Sequence, residues 1–340
     1  MEKKAANPLK SIITIVISLA FAGFFLWLAL KGLDFKVIQK SLAKANYLWV
    51  LFASVFGILA YWFRAVRWNL LLEPMGYSIS NSNSLWSISF GYLMNLTIPR
   101  SGEVARATAL YGVENVPVDK SFGTIILERV VDLLCMLGFL GLTLIFKYEA
   151  ILSFYRNSGV TVNPNKILIV LFILALGTIL FFVFKRRLAN IPFLGEIIRF
   201  IDGIFQGLTS IFKLKQKVKF ILYTLGIWIS YYFAAYLVCF ALPETSDFTI
   251  ADGFFIIVVG TLGMIIPASG GIGAFNLAMK FGFMALFISV GKSAVLGGEM
   301  GLTYSFISLP LQIVIMLVMG LISIPMLAKA RNNKVSDKNL

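Results

Sequence analysis

Residues 220–242 read FILYTLGIWISYYFAAYLVCFAL, without one charged side chain. As a helix rising about 1.5 Å per residue, the stretch covers about 35 Å, more than the ~30 Å hydrocarbon layer of a bilayer. Similar uncharged runs occupy 11–30, 167–184 and 300–327. The whole chain of 340 residues is 59% hydrophobic and 14% charged, with a mean hydropathy of +0.87. No soluble core of this length hides so much apolar surface, so lipid must be the solvent. The apolar runs are continuous rather than alternating, which calls for helices and not barrel strands. Lys3, Lys4 and Lys10 precede the first run, but it is longer than a signal-peptide core and no small-residue cleavage pattern follows Leu30, so it reads as a retained span.

The remaining composition narrows the chemistry. The net charge is +14, yet the basic residues flank apolar segments instead of clustering on a polar domain, which fits membrane anchoring and not a nucleic-acid partner. Cys135 and Cys239 both lie inside apolar segments without a partner at metal or redox spacing, and read as packing residues. There is no histidine, so the commonest general base, the usual triads and histidine metal sites are excluded. No metal or cofactor is expected.

The expected fold is all-α: a polytopic helical membrane protein with about six full spans and two hairpins broken by proline and glycine. It reads as a single transmembrane domain over 1–340, with a first half of about 1–184 and a second half of 220–328. Between the halves lies a basic loop, 185–219, and a basic tail follows at 329–340. Excess Lys and Arg marks the cytoplasmic side. The loop holds Lys185, Arg186, Arg187, Arg199, Lys213, Lys215, Lys217 and Lys219 against Glu196 and Asp202. That side then also takes both termini, while 243–252, with Glu244, Asp247 and Asp252, falls outside. Lys31, Lys36, Lys40 and Lys44 fall outside too. The last three lie opposite Ile38 and Leu42 at helical spacing, which predicts a short interfacial helix.

The broken hairpins span 83–113 and 250–290. The first stops at Pro99-Arg100-Ser101-Gly102, the second at Pro267-Ala268-Ser269-Gly270-Gly271. Proline withholds a backbone donor and glycine allows reversal, so each break frees polar groups that need a partner at membrane depth. Each segment is either a re-entrant hairpin or two plain spans joined tightly. The motif Pro-x-Ser-Gly recurs in both, and Lys120-Ser121 followed by Glu128 matches Lys292-Ser293 followed by Glu299. An odd number of spans between the breaks would make this a weak inverted repeat with a site near the midplane.

Around the first break the chain carries Asn95, Pro99, Arg100, Gly102, Glu103 and Arg106, then Glu128, Arg129 and Asp132. These residues resemble the signature of the lysylphosphatidylglycerol synthase membrane-region family, the flippase-like UPF0104 type. Arg67-Trp68 upstream and Pro267 to Gly273 downstream, with Gly270, Gly271 and Gly273, extend the resemblance over most of the chain. Two departures stand out: Asn276 stands where many members have an acid, and Glu299-Met300 falls where they have an arginine. The soluble aminoacyltransferase domain of some members is expected to be absent, so the chain is not expected to be an enzyme.

Physically, Arg100 and Arg106 flank a helix start whose N–H groups favour an anion, and Arg64 and Arg67, one turn apart, extend the positive path. Asn95 joins them as a candidate headgroup ligand. Glu128 and Asp132 share a helix face and would repel unless an arginine lies between them. A charged cluster linking the hairpin to the third span is therefore expected, with Glu103, Glu128, Arg129, Asp132 and Glu299 as structural or proton-coupling groups. Arg64 and Arg67, beside Trp62 and Trp68, read equally as interfacial anchors. The resemblance implies a substrate among membrane lipids with phosphate-bearing heads. A small-anion transporter and a noncatalytic partner of a lipid-modifying enzyme or polyprenyl-phosphate glycosyltransferase stay open beside it.

Overall fold

A computed structural model describes residues 35–98, 100–158, 202–204, 206, 209–265 and 271–338. Among these residues all regular structure is helical. We label the helices α1 Phe35–Lys44, α2 Tyr47–Leu72, α3 Asn81–Thr97, α4 Gly102–Glu114, α5 Val118–Phe146, α6 Tyr148–Ser158, α7 Lys217–Cys239, α8 Ile250–Ile265, α9 Ala274–Ser289 and α10 Ala294–Lys338. Four helical stretches are long and apolar enough to cross a membrane: Tyr47–Met75, Val118–Phe146, Lys217–Cys239 and Ala294–Asn333. The expected spans at 11–30 and 167–184, most of the basic loop, and the turn residues Pro99, Pro267, Ser269 and Gly270 lie outside the described residues.

Helix ends follow local chemistry. Asn46 caps α2 by accepting from the Leu48 N–H at 3.1 Å. At the other end, Glu73–Met75 tightens into a 3-10 turn that closes on Gly76 at φ 88°. The expected amphipathic helix is α1: Ile38 is buried against Leu302, while Lys36, Lys40 and Lys44 are exposed. The tail is not a separate segment, because α10 runs on to Lys338 with Pro310 and Pro325 inside it.

Side-chain ties show which helix ends lie together. At one end, rich in lysine, Gln216 before α7 donates to Glu73 after α2 at 3.1 Å, and Lys120 in α5 reaches Tyr77 at 3.3 Å. At the opposite end, the Asn46 N–H meets the Ala241 carbonyl at 2.8 Å, and Lys147 pairs with Asp252 at 2.7 Å. The α3–α4 hairpin has its base at the lysine-rich end: Asn69 of α2 donates to Asn81 at 2.7 Å, and Asn83 donates to Glu114 at 2.7 Å. The α8–α9 hairpin has its base at the opposite end, where Lys292 pairs with Asp247 at 2.8 Å and Tyr232 donates to the Ile250 carbonyl at 2.9 Å.

The two hairpins thus enter from opposite ends, and their tips meet: Arg100 Nη2 donates to the Ile265 carbonyl at 2.6 Å. Had each hairpin crossed fully, its tip would lie at the far end and no arginine would bridge them. Both therefore turn back inside the bundle. Their arms have 17, 13, 16 and 16 residues, or about 20–25 Å each, short of the ~30 Å layer.

Lipid exposure and packing divide the surface. Leu133, Leu134, Leu137 and Ile145 of α5 are exposed, as a bilayer solvent permits. In the second half an aromatic core joins Trp228, Tyr232, Phe255, Phe283 and Tyr304. There α9 and α10 cross closely, because a Cβ on Gly301 would strike the Met279 carbonyl and one on Gly297 would meet the Phe283 carbonyl at 2.8 Å. Small residues drive such crossings where water offers no hydrophobic force. Backbone cannot yield as a side-chain tip can, so Gly301→Ala is expected to cost about 1–3 kcal/mol. Gly138, with open space around it, serves as the control. Thermal unfolding in detergent should show a clear drop in Tm for Gly301→Ala and none for Gly138→Ala.

Candidate functional site

Four arginines and three acids converge where α2, α4 and α5 meet, on a scaffold of long helices. On α2, Arg64 and Arg67 sit one turn apart, and on α5 Glu128 and Asp132 do the same, so the two faces can interleave. Arg64 pairs with Asp132 at 3.0 Å, and Arg67 with Asp132 at 3.0 Å and with Glu128 at 3.7 Å. From the hairpin, Arg106 Nη1 donates to Glu128 Oε2 at 2.6 Å. Glu128 is thus met by a hairpin arginine, Arg106, while Arg67 of α2 reaches both acids. Arg129 instead turns outward to Glu103 at 3.0 Å. Glu114 stands apart from the group, bonded to Asn83 at the hairpin base.

Burial separates the members. Arg64, Arg67, Arg106 and Glu128 are 4%, 0%, 5% and 1% exposed, whereas the Arg129 and Glu103 side chains are 48% and 28% exposed. The anchor reading of Arg64 and Arg67 is therefore overturned: only Trp62 faces outward, and Trp68 is fully buried. An anchor would need contact with the headgroup layer, and these side chains are spent inside the bundle. Further groups complete the set. Tyr231 accepts from Arg64 Nε at 3.1 Å, and Trp68 lies face-on to the Arg106 guanidinium at 3.6 Å. Trp68 Nε1 donates to Thr124 Oγ1 at 2.8 Å. Sequence reading did not find Thr124 or Tyr231, since a hydroxyl in an apolar run carries no signal without its partner.

The first turn is built by close backbone approach. Gly102 packs on Gly91, and its N–H donates to Asn95 Oδ1 at 2.7 Å. Asn95 thereby caps the first free N–H of α4. Arg100 adopts φ 61°, a left-handed conformation rare for a side-chain-bearing residue. Its neighbour Ser101 donates to the Ile98 carbonyl at 2.7 Å. A small cleft opens beside this turn, lined by Ile88, Gly91, Tyr92, Asn95, Gly102, Glu103, Arg106 and Arg129.

The second turn is neutral. Gly271 and Gly273 have φ 76° and 83°, and Asn276 accepts from the Gly273 N–H at 2.9 Å while donating to Ser305 at 2.7 Å. Glu299 is buried in α10, and no ion pair among the described residues joins it to the arginine cluster. Among the described residues no group of His, Cys, Asp and Glu side chains is arranged to hold a metal ion.

A sequence profile described as the lysylphosphatidylglycerol synthase TM region matches residues 15–315. The chain belongs to this family. A UPF0104 membrane protein of Methanocaldococcus jannaschii is 32% identical over 133 residues, 38% of either chain. A protein named glycosyltransferase AglD, from Haloferax volcanii, is 24% identical over 316 residues, covering 84% of this chain and 50% of that one. The chain thus spans half or less of the curated relatives it matches. No solved structure matches it.

Within this family member the charged ladder has a measurable consequence. Removing one partner of a buried ion pair strands the other, at a cost of about 3–5 kcal/mol, whereas an exposed pair contributes at most about 1 kcal/mol. Glu128→Ala is expected to lower Tm in detergent strongly and Glu103→Ala hardly at all. Equal shifts would mean that the ladder does not hold the hairpin.

Proposed function

We propose that this protein translocates a lipid with a phosphate-bearing headgroup across the cytoplasmic membrane, without covalent chemistry and without a cofactor. One observation carries the reading: Arg106, which lines the cleft, has neither Nε nor Nη2 bonded among the described residues, although both are buried. Those two nitrogens form one side edge of the guanidinium, the fork that takes two oxygens of a phosphate at once. Charge points the same way. Arg64, Arg67 and Arg106 face only Glu128 and Asp132 in the buried ladder, which leaves one positive charge for an anion to match. Buried charge at membrane depth is costly and is generally kept for function.

The surroundings of the cleft favour a lipid over a soluble anion. Glu103 and Arg129 are flanked by Val104, Val130 and Leu133, all exposed on the lipid-facing surface, so a headgroup could enter sideways with its tails still in the bilayer. Opposed hairpins meeting at their tips support alternate access from the two sides, and with it the inverted-repeat reading. Arg100, at the tip, is the second candidate ligand in this scheme. A second reading, a noncatalytic membrane partner of a glycosyltransferase, draws on the match to half of AglD. The same arginine edge would then hold the phosphate of a lipid-linked substrate.

In the proposed orientation the lysine-rich end is cytoplasmic, with Lys213, Lys215, Lys217 and Lys219. At the opposite end Lys147 and Lys292 are neutralised by Asp252 and Asp247, while Lys36, Lys40 and Lys44 lie exposed on the amphipathic α1. With Cys135 and Cys239 replaced, Ser246→Cys should react with an impermeant reagent from outside and Phe212→Cys, at a position 81% exposed, should be protected. The reverse pattern would invert the topology.

Transport itself is tested by reconstitution into liposomes with labelled phospholipids, with and without a proton gradient. Lysine keeps the charge facing Glu128 but lacks the side edge. Loss of one charge-assisted contact corresponds to about tenfold, so Arg106→Lys should slow translocation by about that factor at unchanged protein content. A wild-type rate would rule out the phosphate role of Arg106.

A further inference from the structure

We propose that Trp68 is a positioning residue, which makes Arg106 selective for an oxyanion presenting two oxygens over a monatomic anion; this rests on the phosphate reading of the cleft. A guanidinium has two ways to turn, about its own plane normal and out of its plane, and selectivity for a bidentate ligand requires that both be fixed. Glu128 fixes the first by taking Nη1 at 2.6 Å. Trp68 fixes the second, because its indole lies 3.6 Å from the guanidinium carbon and blocks one face of the plane.

The indole is itself held. It is 0% exposed, and Nε1 donates at 2.8 Å to Thr124 Oγ1, whose own hydroxyl is directed by donation to the Ser121 carbonyl at 2.7 Å. A chain of support thus runs from the α5 backbone through Thr124 and Trp68 to Arg106. What it leaves unoccupied is the Nε and Nη2 edge. A chloride ion is a single spherical acceptor with little directional demand, whereas the two oxygens of a phosphodiester require the whole Nε and Nη2 edge to be aimed at them together.

A bland alternative is that Trp68 only fills the core around Leu72, Ile88 and Leu110. The two roles differ in what they do to selectivity. The full-length protein in nanodiscs would be titrated with dihexanoyl phosphatidylglycerol, and chloride inhibition would be measured at constant ionic strength with gluconate replacement. Melting of each variant is followed in parallel. Trp68→Leu is expected to weaken lipid binding by about tenfold while chloride inhibition keeps its concentration dependence. Trp68→Phe, which keeps an aromatic face, should recover most of that loss, and Thr124→Val, which frees the indole, should reproduce part of it.

If Trp68→Leu does not fold, Trp68→Phe and Thr124→Val decide, since phenylalanine keeps an aromatic ring in the core and valine is isosteric with threonine. Variants that melt like the wild type and bind lipid and chloride in the wild-type ratio would overturn the positioning role. Lipid binding by Arg106→Lys separates the two levels: if it is lost while the Trp68 variants bind normally, only the present inference fails. If Arg106→Lys also binds normally, the phosphate reading beneath it fails as well.

Discussion

The carboxylate of Glu128 is the constraint on which the first half of the molecule depends. It is nearly inaccessible, and its charge is matched by guanidinium groups from two other helices. Arg67 arrives from α2 and Arg106 from α4. Neither helix could rotate by one residue, about 100°, without withdrawing its arginine. The charge requirement therefore fixes the azimuth of α2 and α4 against α5, and with it the placement of the broken turn. Hydrophobic packing alone would not do this, because helices apolar all round have no preferred face toward lipid or protein.

The two halves solve the problem of broken backbone differently. In the first, Asn95 and Ser101 satisfy the turn while arginines and acids crowd behind it. In the second, a neutral pair, Asn276 and Ser305, does the same work, backed by aromatic rings and a tight glycine crossing. Among the described residues the buried arginine–carboxylate pairs gather behind the first turn.

Much of this was legible in the chain. Long uncharged runs marked the spans α7 and α10, the lysine spacing marked α1, and the proline and glycine clusters located both breaks. Glu128 and Asp132, four residues apart, announced that a cation must stand between them. Which cation could not be read, since Arg67 and Arg129 offer the same chemistry and the choice depends on how α2 is rotated against α5. The same limit hid the fate of Arg64 and Trp68: flanked by aromatic residues near a helix end, they have the composition of an interfacial belt, and only tertiary packing turns them inward. The contact of Arg100 with Ile265 was equally out of reach, because a backbone carbonyl is present at every residue and leaves no mark in the sequence.

That last contact has an evolutionary consequence. Its donor is one particular side chain, but its acceptor is a main-chain oxygen at the end of α8, which every amino acid supplies. Substitution at position 265 leaves the acceptor in place, so the second hairpin is free to drift in sequence without unfastening itself from the first. The bond between the two hairpin tips is encoded on one side alone, and its mutational target is a single codon.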